Sequence, residues 1–91
     1  QVEDDAMAPI LAQGARVAYA ARDEAIDGLE GAMVVAWVQG RPLVRWFRRS
    51  GAFGLLRAEN PEFSPSIQLL DLTGPPHECK LRRVLWTSTP H

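Results

Sequence analysis

The fold is decided by a stretch in the middle of the chain, Ala32 to Arg49, which reads AMVVAWVQGRPLVRWFRR. Its first part, AMVVAWVQ, is a β-branched and aromatic run of the kind that forms a buried strand. A second such run, LVRWFRR, starts at Leu43. Between the two runs, Gly40 can take a positive φ and Pro42 stiffens the entry to the following strand. The stretch therefore predicts a β-hairpin.

Further strands are predicted on both sides of this hairpin. Before it, ARVAYAA alternates between apolar and polar residues, and after it come LLRAEN at 55–60, IQLLDL at 67–72 and KLRRVLW at 80–86. The segments between them are rich in glycine and proline: SGAFG at 50–54 predicts a second turn, and RDEAIDGLEG has room for one helical turn. About six short strands with turns roughly every 8 to 12 residues predict an all-β protein, folded as a small sheet or a partly open barrel.

The composition indicates one small domain. A chain of 91 residues, 46% of them hydrophobic, has no room for a second domain, so residues 1–91 are expected to fold as one unit. A net charge of -1 gives no overall attraction to nucleic acid or to an anionic membrane. The first ten residues do not have the pattern of a signal peptide, so we expect none, and no apolar run approaches the ~18 residues of a membrane span. We expect a cytoplasmic, soluble protein and, because it starts at Gln1, a fragment of a longer one.

A second informative stretch is DAMAPI, residues 5–10, which is followed by LAQGARVAYA. An acidic turn-forming run leads into a Met-x-Pro step, and Gly14 precedes the alternating strand. With serine in place of Ala6, this would be the pattern of a nucleophile loop. Taken alone, the same residues also fit an ordinary loop in which Met7 plugs the core.

Three collinear motifs give the chain a family resemblance over roughly residues 3–88. The chain resembles the C-terminal domain of LexA-type and phage-type repressors, which are self-cleaving serine peptidases. Their Ser-Met-x-Pro motif corresponds to the segment that begins at Ala6, and their Val-Lys-Arg-Leu/Phe strand corresponds to PLVRWFRR, with Arg45 in the place of lysine. Their Pro-Glu-Asn-x-x-Phe/Tyr stretch is matched by AENPEF, Ala58 to Phe63.

This resemblance implies a catalytic site from which both reacting groups are missing. Ala6 occupies the position of the nucleophilic serine, Met7 belongs to the same motif, and Arg45 occupies the position of the general-base lysine. In such a dyad a neutral lysine takes the proton of the attacking hydroxyl. Alanine has no nucleophilic atom, and arginine side chains stay protonated in proteins. Since the only lysine, Lys80, lies outside the motif, we expect no peptidase activity.

The resemblance implies the regulatory and dimerisation domain of a repressor-like bacterial or phage protein, of the type that acts in the SOS response. DNA would then be bound only by a segment outside this chain. The alternative is a Ser-Lys self-cleaving peptidase whose nucleophile has been replaced at Ala6, and a third reading is a free-standing module that binds a peptide in the remaining cleft.

A homodimer is expected from the same resemblance, because repressors that bind paired half-sites match the symmetry of their operator. The final strand carries more apolar surface than a small domain covers alone, and we expect it to form an exposed edge that pairs with a second copy. The contact is predicted to include Leu85 or Trp86, with Arg82 and Arg83 at its rim.

Other residues give weaker signals. Arg45 itself is either a solvated strand residue beside Arg48 and Arg49 or a residue that faces a cleft. The three tryptophans are more typical of a core or an interface than of a ligand-stacking platform. His77 and Cys79 are too few to define a metal site, so neither a metal nor a cofactor is expected.

Overall fold

The computed structural model describes residues 2, 4, 6–8, 10–11, 14–22, 25–72 and 80–88, which form a single open β-sheet. The strands are β1 (Arg16–Tyr19), β2 (Met33–Val38), β3 (Arg41–Ser50), β4 (Phe53–Arg57), β5 (Ile67–Asp71) and β6 (Lys80–Ser88). All neighbouring strands are antiparallel, and their order across the sheet is β1-β6-β2-β3-β4-β5. A single turn of 3₁₀ helix, Ile26–Leu29, precedes β2. The all-β prediction is confirmed, and the sheet is not closed into a barrel.

The predicted hairpin is formed by β2 and β3. Val38 pairs with Arg41, so the turn consists of Gln39 and Gly40 alone. Both turn residues have positive φ, 52° and 79°, as a type I′ turn requires at its two central positions. The strand after the turn begins two residues before the predicted Leu43, so that Pro42 lies inside the strand rather than ahead of it.

The next hairpin is tighter than the sequence indicates. Ser50 pairs with Phe53, so β4 begins where SGAFG predicts a turn. Gly54 belongs to the strand, and a Cβ atom at this position would lie 2.8 Å from the ring of Phe47. This glycine therefore makes room for a buried aromatic ring instead of bending the chain.

The strands from β2 to β5 form a meander, whereas β6 returns across the sheet to lie between β1 and β2. Arg16 of β1 is paired with Ser88 of β6, which brings distant parts of the chain together. Residues 80–83 pair with β2 and residues 84–88 pair with β1. The expectation that the final strand is a sheet edge is therefore wrong, since β6 lies between β1 and β2 in the order of the sheet.

Each face of the sheet carries its own hydrophobic cluster, because successive residues of a strand point to opposite faces. The helix-side cluster consists of Leu29, Val34, Ala36, Phe47, Leu56, Leu70 and Leu81. The loop-side cluster consists of Val2, Met7, Leu11, Ala15, Val35 and Val44. Ala6 and Arg45, the two positions that the resemblance assigns to catalysis, lie where the N-terminal segment contacts β3.

Candidate functional site

The segment that contains Ala6 is docked on the sheet by backbone hydrogen bonds and by a buried methionine. The N–H of Val2 donates to the carbonyl of Ala15 at 2.7 Å, and the carbonyl of Val2 accepts the N–H of Gly14 at 2.8 Å. The N–H of Leu11 closes a turn on the carbonyl of Met7 at 2.8 Å. Met7 is fully buried in the loop-side cluster, so its side chain packs the N-terminal segment against the sheet.

Ala6 has both of its backbone groups held by neighbouring residues. Its N–H donates to Oδ1 of Asp4 at 3.1 Å, which is the local side-chain hydrogen bond of an Asx turn. Its carbonyl accepts the N–H of Asn60 at 2.7 Å. The AENPEF segment thus contacts the position that the resemblance assigns to the nucleophile, and the Ala6 side chain is completely buried.

Arg45 is buried in β3, where only 4% of its surface is exposed. Its Nη2 lies 3.1 Å from Oδ2 of Asp4, and its Nη1 donates to Oδ1 of Asp4 at 3.4 Å and to the carbonyl of Val44 at 2.8 Å. The ring of Phe63 covers the guanidinium, with 5.1 Å between the ring centroid and Cζ. A buried charge is stable only when it is paired in this way, and the reading of Arg45 as a solvated strand residue is wrong.

The pairing of β3 explains why these groups meet at this place. The register of β3 with β4 begins at Trp46, so residues 41–45 have no β4 partner on that side. The N-terminal segment and the corner after β4 both contact β3 here. Beside Arg45, the indole N–H of Trp46 donates to Oε2 of Glu59 at 2.9 Å.

Asp4 joins the two predicted positions, and sequence reasoning missed it. One carboxylate holds both the backbone N–H of Ala6 and the guanidinium of Arg45. The available signal was local: an aspartate two residues before a turn residue favours an Asx turn. The second partner of Asp4 is Arg45, 41 residues away along the chain, and no local sequence pattern predicts such a contact.

Two spaces open beside Asp4. One is an open groove of about 380 Å³ that is lined by Asp4, Arg45 and Phe63 together with residues of the β2–β3 hairpin. The other is a smaller, mostly apolar pocket of about 230 Å³, whose walls include Tyr19 and Trp37. Ala6 lines neither of them.

Lys80 is placed elsewhere in the sheet. Its Nζ lies 5.1 Å from the centroid of a Trp37 ring, and Trp37 in turn packs edge-on against Tyr19. The structure brings Ala6 and Arg45 together at Asp4, whereas the only lysine of the chain contacts the aromatic pair. Neither Ala6 nor Arg45 has the hydroxyl or the amine of a Ser-Lys dyad.

The contacts at this junction attach one segment of the chain to another. The Asp4 carboxylate accepts hydrogen bonds from the backbone N–H of Ala6 and from the guanidinium of Arg45, while the Ala6 side chain is buried. The ion pair joins the N-terminal segment to β3, and Phe63 adds a contact from the corner. We call Asp4, Ala6, Arg45 and Phe63 the clamp.

The described residues were compared with the requirements of a metal site and of a membrane-spanning helix. Among them, no three His, Cys, Asp or Glu side chains are grouped so that they could hold a metal ion. His77 and Cys79 lie outside the described residues. None of the described helices has the length and apolar character needed to cross a membrane.

Comparison with known proteins adds no further assignment, since no protein-family model and no curated protein matches this sequence.

Proposed function

We propose that this chain is the regulatory and dimerisation domain of a repressor-like bacterial or phage protein in which the self-cleavage reaction has been lost. The observation that carries the proposal is the clamp. Both positions that hold the dyad in the resembling family are engaged here by a single carboxylate, Asp4. A site that evolves without selection for chemistry is free to convert its reactive positions into packing and ion pairing.

The burial of both positions supports this loss of activity. Ala6 presents no surface to solvent, so a peptide bond that entered the groove would not meet it. Arg45 is paired with Asp4 and covered by Phe63. If its guanidinium moved away from Asp4, it would become an unpaired charge in the interior. Neither residue is available to a substrate.

The proposed dimer contact is on β6. Leu85 is 60% exposed and Trp86 58% exposed, and both lie in the half of the strand that pairs with β1 rather than with β2. Two large apolar side chains in this position favour a contact with a second copy. Sedimentation velocity at tens of micromolar tests it: Trp86→Ala is expected to lower the dimer fraction without unfolding the domain, and a wild-type chain that is monomeric would contradict the contact.

A second candidate is a Ser-Lys peptidase in which Ala6 stands where the nucleophile belongs. The observation that favours it is the double hydrogen bonding of the Ala6 backbone by Asp4 and Asn60, which is the rigid support that a catalytic loop needs. The encoded residue at position 6 in the source gene separates the two candidates, as does a DNA-binding segment upstream in the full-length protein.

Variants of the full-length protein test both candidates by mass spectrometry after incubation at alkaline pH. The wild-type protein is expected to stay intact. Ala6→Ser alone is also expected to stay intact, because a hydroxyl without a general base lacks a factor of about 10² to 10⁴ in rate. Cleavage by this single variant would show that another residue acts as the base and would overturn the proposed role of Arg45.

The variant that combines Ala6→Ser with Arg45→Lys supplies both groups, but Asp4 then acts against the reaction. An adjacent carboxylate favours the charged form of a lysine, and a charged lysine takes no proton. Adding Asp4→Asn is therefore expected to increase cleavage relative to the double variant. Equal rates with and without Asp4→Asn would show that Asp4 does not contact the base.

A further inference from the structure

The outer edge of β5 has the features of a self-pairing strand. β5 is the last strand of the sheet that the structure describes, and its described strand partner is β4. Ile67 is 50% exposed and Leu69 is 62% exposed. Edge strands of monomeric proteins are normally protected by charged side chains, yet the one charged residue of β5 is Asp71 at its end, and none lies between Pro65 and Leu70.

The hydrogen bonds to β4 show which backbone groups of β5 are directed outward. Ala58 donates its N–H to the carbonyl of Ser66 at 2.8 Å, and Leu72 donates its N–H to the carbonyl of Ala52 at 3.0 Å. Even-numbered positions therefore direct their backbone groups toward β4. Because this direction alternates along an antiparallel strand, Ile67 and Leu69 direct theirs toward the open side.

We propose that this edge binds a second copy of the chain by antiparallel pairing about a two-fold axis at Gln68. In that register Gln68 lies opposite Gln68 of the second copy, and each Ile67 lies opposite Leu69 of the second copy. The outward backbone groups of these two residues then bond to each other across the axis. Pairing stops at Pro65, which has no N–H to donate.

A second copy fits this edge for three reasons. The register sets the two exposed apolar side chains of β5 against each other, so that two Ile67–Leu69 pairs form on one face of the joined sheets. On the other face, the Gln68 amides meet at the axis, where each has a donor and an acceptor for the other. Asp71, the one charged residue of β5, lies opposite Pro65 of the second copy, so that no like charges oppose each other along the two edges. This contact is separate from the one proposed on β6 and does not depend on the proposed function.

Engineered cysteines test the register in the 91-residue chain with Cys79→Ser as background, because the chain has one cysteine. Directly opposed residues in a non-hydrogen-bonded pair have Cα atoms about 4.5 Å apart, within the range that a disulfide spans. Gln68→Cys is therefore expected to form a disulfide-linked dimer under oxidised glutathione. Ser50→Cys, exposed two strands away on β3, is the matched control and is expected to stay reduced.

The neighbouring positions sharpen the test. Ile67→Cys and Leu69→Cys are each expected to form no disulfide-linked dimer alone and to form a mixed disulfide when combined, because each lies opposite the other residue. In the Trp86→Ala background, which weakens the contact proposed on β6, Leu69→Lys is expected to weaken the remaining dimerisation in sedimentation velocity by about tenfold, while Ser50→Lys leaves it unchanged.

Three outcomes overturn the proposal. The first is a Gln68→Cys variant that is linked no more than the Ser50→Cys control. The second is a Leu69→Cys variant that links to itself as readily as Gln68→Cys, which would place the axis elsewhere. The third is a chain that remains monomeric with its thiols unreacted, which would leave the β5 edge to a strand of another protein. Failure of the β6 contact alone would not affect these disulfides.

Discussion

The helix-side and loop-side clusters occupy opposite faces of one sheet, but they are closed by different means. Every member of the helix-side cluster belongs to a strand or to the single helical turn. The loop-side cluster instead obtains Val2, Met7 and Leu11 from the N-terminal segment, which is fastened to β3 through the clamp. The helical turn on one face is joined to β3 by exposed ion pairs, whereas the segment that covers the other face is joined to β3 by the ion pair of the buried Arg45.

Under the proposed function, this difference indicates where a lost activity would leave its trace. Apolar packing between strands specifies the sheet and does not depend on chemistry at the surface. The segment that covers the loop-side cluster contains Ala6, one of the two positions that the resemblance assigns to the reaction. Asp4 and Arg45 attach that segment to β3, and this attachment does not need the reacting groups.

The largest expected effect is on the helix-side cluster. Phe47 is fully buried, and Phe47→Ala should lower the free energy of unfolding by about 4 kcal/mol, because it removes a large ring and leaves a cavity between strands that cannot collapse. Urea denaturation followed by tryptophan fluorescence measures the change. Phe53→Ala, at a half-exposed phenylalanine of β4, is the control and should cost less than about 1 kcal/mol.

A smaller and more local effect is expected on the loop-side cluster. Met7→Ala should cost about 3 kcal/mol, since the segment can settle partly into the space that the side chain leaves. Hydrogen exchange should show faster exchange of the Gly14 and Leu11 amides while the amides of β2 and β3 remain protected. Ile10→Ala, in the same segment but exposed, should change neither. Equal loss of protection across the sheet would contradict the separation of the two clusters.

The ion pair of the clamp is expected to contribute less than either aromatic or methionine packing. Asp4→Ala should cost about 2 kcal/mol, below the usual value for a broken buried pair, because the Asp4 side chain is 29% exposed and water screens part of the interaction. Asp27→Ala, which breaks the exposed pair with Arg49, is the matched surface control and should cost less than about 0.5 kcal/mol.

A double variant separates the charge of Arg45 from its packing. Arg45→Met in the Asp4→Ala background should recover most of the lost stability, because an apolar side chain of similar length removes the unpaired charge. If the double variant is no more stable than Asp4→Ala alone, the buried guanidinium is not the source of the loss.

The smallest expected effect concerns the hydrogen bond beside the clamp. Glu59→Gln keeps an oxygen that can accept the indole N–H of Trp46, so it should cost no more than about 1 kcal/mol in urea denaturation. Glu59→Ala removes the acceptor and should cost more. If the two substitutions have the same effect, this hydrogen bond does not support the corner after β4.

The sheet could be predicted from the sequence because its determinants are local. Alternating apolar residues and the turn at Gly40 placed all six strands to within a few residues. The prediction failed where a residue serves a distant contact: Gly54 was read as a turn residue, although it accommodates Phe47. The same holds for the site, where the motifs pointed to Ala6 and Arg45 but carried no sign of Asp4. The position of β6 inside the sheet depends on the topology, which no single segment encodes.

The connectivity of the sheet also sets the order in which it can form. The strands of the meander pair with their immediate neighbours through turns as short as two residues, so each hairpin closes a small loop at little entropic cost. The pairing of Arg16 with Ser88 closes nearly the whole chain, and contacts of such long sequence separation slow folding. We therefore expect the β2–β3 hairpin to be formed in the transition state for folding and β1 to pair with β6 only afterwards. Substitutions in β1 should then accelerate unfolding without slowing refolding.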